Sequence, residues 1–214
     1  MFHCFIGVDV RQPVAATVLQ MSIISRSSSP VSVTWLVQSQ LPVRRRGLTD
    51  FTFTRYLVPY LMGYKDRALF LDGDMLVQAD IAELFAVADS KYAVQVVKGK
   101  QRFEWPSLML FNCAKCTTLT PEFIENGRPQ DLQWGEVGEL PGEWNRCVGY
   151  EDTDDAKLLH YTCGLPAFPE TAILGRVDEW KRDLSAACST VPWADLMAGS
   201  IHAQVLEKIR AESR

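Results

Sequence analysis

The sequence predicts an α/β fold, a mostly parallel sheet flanked by helices on both faces. Two observations carry that prediction. Segments of strand and helix character alternate along much of the chain, and the strand segments are apolar throughout, not on every second residue, as strands buried on both faces must be. A third observation is capacity: 214 residues, 47% of them hydrophobic, can bury a sizeable core without disulfide or metal staples.

Phe2 to Val8, a run of Phe, Ile, Val and Cys ending at Asp9, reads as the first buried strand. Pro13 suits a first helical turn, and Val14, Val18, Met21 and Ile24 recur at helical spacing until Arg26-Ser-Ser-Ser-Pro30 ends the pattern. Val31 to Val37 is β-branched and aromatic, hence a second strand; Gln38 to Asp50 reads as loop. Phe51 to Met62 places Phe53, Tyr56, Leu57, Tyr60 and Leu61 on one side of a helix in which Pro59 marks a bend or a boundary. Ala68 to Leu71 is a buried strand, Asp80 to Ala88 a short helix, and Tyr92 to Val97 and Leu108 to Phe111 are strands. Residues 127 to 150, rich in Gly, Trp, Glu and Pro, read as irregular with one short strand over Val137 to Leu140. From Asp178 the pattern gives two helices broken near Pro192, the second running from Trp193 to Arg210. With no repeat and no linker, 1–214 is read as a single domain whose residues 178–214 form a helical C-terminal segment.

The net charge of −4 argues against a broad nucleic-acid footprint. Arg44-Arg45-Arg46 is a local basic exception, a solvated loop by default and otherwise a contact for acceptor phosphate or nucleic acid. The first nine residues carry no basic region, and no apolar run reaches the roughly 20 residues that cross a bilayer, so neither an export signal nor an integral membrane segment is expected. Six cysteines without a spacing framework indicate reduced thiols and a cytoplasmic location; Cys113 and Cys116 read as incidental. Trp134, Trp144, Trp180 and Trp193 are mostly packing residues, with a sugar-stacking role open to one or more.

Asp72-Gly73-Asp74 carries the chemistry. Two carboxylates emerge at the carboxyl end of a buried strand, where open α/β sheets bind ligands, and with phosphate oxygens they make a hard oxygen cage for Mg²⁺ or Mn²⁺. Gly73 removes a side chain that would obstruct a ligand. Alone the motif is weak, since a polar turn has the same composition. A calcium loop starting at Asp72 would need Gly where Val77 stands. An aspartate-nucleophile phosphatase would want the motif on an early strand followed by a hydroxyl residue, where this chain has Met75, Leu76 and Val77.

The stretch from Phe51 to Leu61, then Ala68-Leu-Phe-Leu-Asp-Gly-Asp-Met-Leu-Val77, Asp80 to Phe85, Trp105 to Asn112 and Leu158-Leu-His-Tyr-Thr-Cys-Gly164 resemble glycosyltransferase family 8, which includes glycogenin and bacterial lipopolysaccharide galactosyltransferases. The resemblance spans roughly residues 2 to 168 and implies a GT-A fold with a Rossmann-like nucleotide-binding sheet. It further implies a metal-dependent glycosyltransferase that retains anomeric configuration and uses a nucleotide-sugar donor, in most members a UDP-sugar. Asp72, Asp74 and His160 are implied as ligands of Mn²⁺ or Mg²⁺; from composition alone His160 would be a structural histidine. Gly7 and Asp9 are implied at the nucleotide, with Leu71, Gly73 and Gly164 lining the cofactor site and Arg55 at the sugar or diphosphate. Arg55, Asp131 and Glu136 are the catalytic candidates. The family's Lys after the His-x-x-Gly motif is absent from His160 to Phe168. The acceptor is open among a saccharide, a lipid-linked glycan, a protein and a modified nucleobase, and the terminal helix docks on its own domain by default, with a homodimer or membrane-surface contact second. Two other readings stand beside transfer: a nucleotide-sugar-binding protein without turnover, and a metal-dependent phosphohydrolase.

Overall fold

Strand β1 (Phe2–Gly7) passes through helix α1 (Pro13–Arg26) to the parallel strand β2 (Val31–Leu36). The computed structural model describes residues 1–99 and 102–189. Short helices α2 (Phe51–Thr54) and α3 (Val58–Leu61), joined by a 3₁₀ turn over Arg55–Leu57, lead into β3 (Arg67–Asp72), parallel to β1 on its other side. There follow β4 (Met75–Val77), α4 (Ile81–Ala86), β5 (Val94–Val96), β6 (Leu108–Asn112), α5 (Pro121–Asn126), β7 (Val137–Glu139), β8 (Arg146–Cys147), β9 (Leu158–His160), α6 (Pro169–Ala172) and α7 (Val177–Cys188). The main sheet has the order β2-β1-β3-β6-β5-β7; a second sheet has the order β4-β9-β8.

Apolar-throughout strands fit a sheet covered on both faces. Phe5 and Phe70 pack on one side with Phe53, Tyr56 and Leu57 from the 51–61 segment. Their neighbours Cys4, Ile6, Leu69 and Leu71 pack on the other side with Ala16, Leu19 and Ile23 of α1 and Leu84 of α4. Truncating one of these fully buried leucines to Ala would cost about 2–5 kcal/mol. A third cluster ties α1 to the second sheet and α7 through Val18, Leu76, Leu159, Tyr161 and Trp180. Arg26 and Asp183 pair across α1 and α7 at 3.0 Å.

Three details differ from the sequence reading. The helix expected over 51–62 is divided because Pro59 has no N–H to donate and its ring crowds the carbonyl one turn earlier. The sheet is mostly parallel, but β6 runs antiparallel to both β3 and β5. Residues 97–107, which join β5 to β6, are too few for the helical crossover that a parallel pair requires. The second sheet has no counterpart in the sequence reading beyond its apolar segments. The break at Pro192 and the helix from Trp193 to Arg210 lie outside the described residues. Among the described residues no helix is long and apolar enough to cross a membrane. All six cysteines are free thiols.

Candidate active site

The site forms where β1 and β3 end side by side, with Gly7 in register with Asp72. The chain turns through Gly73 and Asp74 into β4, and a Cβ on Gly73 would stand 2.4 Å from the backbone oxygen of Gly7. Glycine is therefore required for the approach of the two strand ends themselves, a nearer cause than clearance for a ligand. Strand β4 pairs antiparallel with β9 in the register Met75↔His160, and the Tyr161 amide donates to the Asp74 carbonyl at 3.0 Å. That register delivers a histidine distant in sequence to the carboxylate turn. Beyond it Gly164 turns the chain at φ +115°, a conformation costly for any residue with a Cβ.

Asp72, Asp74 and His160 offer ligand atoms that all lie within 4.8 Å of one another. Twice a metal–oxygen bond is roughly 4–5 Å, so one ion can reach all three. The donor set, two carboxylates and an imidazole, suits Mn²⁺ or Mg²⁺ better than a soft metal. Oδ1 of Asp72 and Oδ1 of Asp74 are buried without a hydrogen-bond donor. Asp72 Oδ1 does lie 3.1 Å from Arg55 Nη2, but the contact is an ion pair without hydrogen-bond alignment. Buried oxygens that lack a donor are costly, and a cation between them relieves that cost.

Protonation reflects the same crowding. Burial, with the neighbouring Asp74 charge, pushes the Asp72 carboxyl up to about 7 against the opposing pull of Arg55 and His160. For His160 burial disfavours the charged ring, yet the adjacent Asp74 carboxylate, with contributions from Cys147 and Asp72, outweighs it and raises the imidazole to about 10. His160 Nε2 stands 3.4 Å from Asp74 Oδ1. In the metal-free fold a proton on the ring thus does part of what a cation would do.

The other ring nitrogen is held. His160 Nδ1 lies 3.0 Å from Oδ1 of Asn145, whose Nδ2 donates to Ser107 Oγ at 2.9 Å. Asn145 and Ser107 are 1% and 3% exposed. A carbonyl oxygen accepts only, so Nδ1 carries the proton and Nε2 faces the carboxylates, the arrangement that orients a metal-ligating imidazole. Asn145 is a site residue that sequence reasoning missed. It sits in the Gly- and Trp-rich stretch, where no periodicity marks it.

Arg55 is buried beneath the cluster. Its Nε donates to the Phe51 carbonyl at 3.1 Å and its Nη1 to the Pro106 carbonyl at 2.7 Å, which aims Nη2 at Asp72. The guanidinium also lies 5.3 Å and 5.2 Å from the rings of Phe51 and Phe70. A cavity of 320 Å³ opens beside the carboxylates, lined by Gly7, Asp9, Gly73 and Asp74 together with Thr49 and Phe51, Arg11 and Gln12, and Ala15 and Ala16 of α1. Asp9 is held below the usual carboxylate range, chiefly by its side-chain bond to Arg11. Leu71 contributes no side chain here, since it is fully buried in the core.

Two catalytic candidates are not brought into the cluster. Asp131, in the 3₁₀ turn Pro129–Asp131, pairs with Arg128 at 2.8 Å. Glu136 is exposed and precedes β7, the edge strand parallel to β5. Because β7 shares the direction of β3, Glu136 stands at the end of the sheet opposite Asp72.

The sheet, with a carboxylate–imidazole cluster where β1 and β3 end beside a cavity, has the GT-A fold of solved glycosyltransferases. The galactosyltransferase LgtC, solved with donor and acceptor sugar analogues, superposes with a TM-score of 0.61 at 14% identity over 90% of this chain and 98% of that one. The bifunctional glycosyltransferase WbbM in its apo form gives 0.63 at 19% identity over 90% of this chain, which spans only 50% of that protein. GlyE of Streptococcus pneumoniae TIGR4 gives 0.60 at 16% identity over 87% of this chain and 63% of its own. Residues 2–119 match Glycosyl transferase family 8, and Protein CDI of Arabidopsis thaliana is 34% identical over 86% of both chains. The chain belongs to glycosyl transferase family 8 and is a glycosyltransferase.

Proposed function

We propose that the chain transfers a sugar, with retention of anomeric configuration, from a UDP-sugar to an acceptor, using Mn²⁺ or Mg²⁺ held by Asp72, Asp74 and His160 against the donor diphosphate. The observation that carries this reading is the convergence of those three side chains, two with buried oxygens lacking a donor, next to the cavity that Asp74 lines together with Gly7 and Asp9. The ion, when bound, supplies Lewis acidity that offsets charge on the leaving diphosphate. Arg55 favours the ionised form of Asp72 against the burial that opposes it and adds a fixed positive charge in a water-poor site, where such charge acts most strongly. Asn145 holds His160 in the tautomer that leaves Nε2 free. The contact between Gly73 and Gly7 sets the distance from the carboxylates to the nucleotide cleft. In this reading 1–214 is a single GT-A-type domain acting in the cytoplasm.

Titration with UDP, with and without Mn²⁺, on the protein and on Asp74→Ala tests it. Tight binding only with the ion, lost in the variant, is expected. Metal-independent binding that the substitution leaves unchanged would overturn the assignment.

A further inference from the structure

A second groove, of 610 Å³, lies beside the donor cavity and shares Arg11 and Thr49 with it. Its wall is the loop from Arg44 to Asp50 facing Gln38 and Ser39. Arg45 anchors that loop from behind: the backbone amides of Arg44 and Arg45 both donate to Glu125 Oε2, and the Arg45 carbonyl accepts from Gln38 Nε2. The Arg45 guanidinium donates to the carbonyl of Gly127 and lies 3.9 Å over the ring of Phe53. With Arg45 turned into the fold and half-buried, Arg44 and Arg46 are exposed and line the groove.

Charge in the groove is unbalanced. Arg11 is engaged by Asp9. Arg44 has one bond, from Nη1 to the Ser39 carbonyl at 3.3 Å, and neither Arg44 nor Arg46 pairs with a carboxylate among the described residues. Asp50 is the one carboxylate on the lining, and its Oδ2 accepts from the Val10 amide. On a chain of net charge −4, two guanidiniums held on a braced loop against a single carboxylate form a local inversion of sign. Planar guanidiniums match phosphate oxygens, and bracing the loop lowers the ordering cost of binding.

We propose that this groove is an anion site in which Arg44 and Arg46 grip a phosphate monoester carried by the acceptor. The word acceptor rests on the transfer reading above; the anion site does not. The groove lies alongside the cavity that ends at Asp74, so a phosphate held there belongs to a ligand bound next to the donor and not to the donor's own diphosphate. The absence of lysine from His160 to Phe168 does not alter this, because that segment lines neither cavity. The phosphate can come from a soluble sugar phosphate or from a lipid headgroup, since Leu48 at the rim is 91% exposed.

The test is calorimetric titration at low salt, in the presence of Mn²⁺ and UDP, with glucose 6-phosphate, with glucose, and with phosphatidylcholine vesicles with and without phosphatidic acid. Binding of a phosphate-bearing probe is expected, with glucose inert. Arg44→Gln and Arg46→Gln should each weaken it about tenfold or more, the worth of one charge-assisted hydrogen bond. Binding of glucose 6-phosphate assigns a soluble source; binding of the phosphatidic acid vesicles alone, lost in both variants, assigns a lipid source. Asp74→Ala should lose UDP and keep the phosphate probe. A wild-type protein that ignores UDP yet binds phosphate through Arg44 and Arg46 would fail the transfer reading and leave the anion site standing. The site is overturned if no phosphate probe binds, if both variants bind as the wild type does, or if UDP displaces the phosphate.

Discussion

Replacing Asn145 by Ala removes the acceptor of the His160 Nδ1 proton and the donor to Ser107 Oγ in one step. The residue is 1% exposed, so water cannot restore either partner without opening the core. Each buried group left unpaired costs about 1–3 kcal/mol, so two predict a loss of about 2–6 kcal/mol. For a chain of this size each kcal/mol lowers the melting temperature by roughly 2–4 °C. Beyond stability, His160 loses the bond that fixes its tautomer, and loss of such a partner weakens metal affinity by roughly 10–100-fold. Asn145→Asp keeps an acceptor opposite Nδ1 and accepts from the Ser107 hydroxyl, so it should hold Mn²⁺ within about threefold of the unaltered protein. Electron paramagnetic resonance of free Mn²⁺ during titration reads the affinity, and long-range ¹H–¹⁵N spectra of His160 read the tautomer independently. An alanine variant that melts early but binds Mn²⁺ normally, with the tautomer unchanged, would refute the orienting role and reduce Asn145 to a packing residue.

Gly73→Ala puts a Cβ against the Gly7 carbonyl oxygen, where it would stand 2.4 Å away. The shift of strand ends should cost about 1–3 kcal/mol and reduce UDP affinity, read by denaturant melts beside UDP titration; unchanged UDP binding would count against the shared wall. The metal-free protein should lose stability as pH rises from about 4 to 7, because folded Asp72 (about 7, against 3.8 ordinarily) keeps a proton that the unfolded chain has released. His160, raised to about 10 from 6.5, adds loss of the same sign at higher pH. Mn²⁺ replaces those protons, so its thermal stabilisation should be larger at pH 8 than at pH 5; the reverse order in melts would contradict the assignment. Asp183→Ala leaves the Arg26 guanidinium, 19% exposed, without its partner and should destabilise by about 2–4 kcal/mol in urea melts. A change under about 0.5 kcal/mol would mean that α7 does not depend on the pair.

Much of the fold was legible because burial on both faces leaves uninterrupted apolar runs. Phe2–Gly7 and Arg67–Asp72 stand where the runs of Phe, Ile, Val and Leu placed strands, and Pro13 opens α1 as its missing N–H allows. Strand direction was less accessible: the reversal of β6 depends on the short connection before it, which apolarity does not encode. At the site, Asp72 and Asp74 were visible as adjacent carboxylates after a buried strand. His160 was visible only through resemblance, because its proximity depends on the β4–β9 register across a long sequence separation. Asn145 and the outward turn of Arg44 and Arg46 about a braced Arg45 depend on tertiary hydrogen bonds that no local pattern announces. Asp131 and Glu136, chosen from the matching region, are not among the three clustered ligands: Asp131 pairs with Arg128 at the turn Pro129–Asp131, and Glu136 precedes the edge strand β7 at the opposite end of the sheet.

Crystals soaked with MnCl₂ and UDP, measured at the manganese absorption edge, test the central claim most directly. A single strong anomalous peak between Asp72, Asp74 and His160, in contact with both phosphates of UDP in the cavity beside Gly7 and Asp9, is the expected result. UDP bound with no peak at those three side chains, or manganese bound elsewhere, would contradict it.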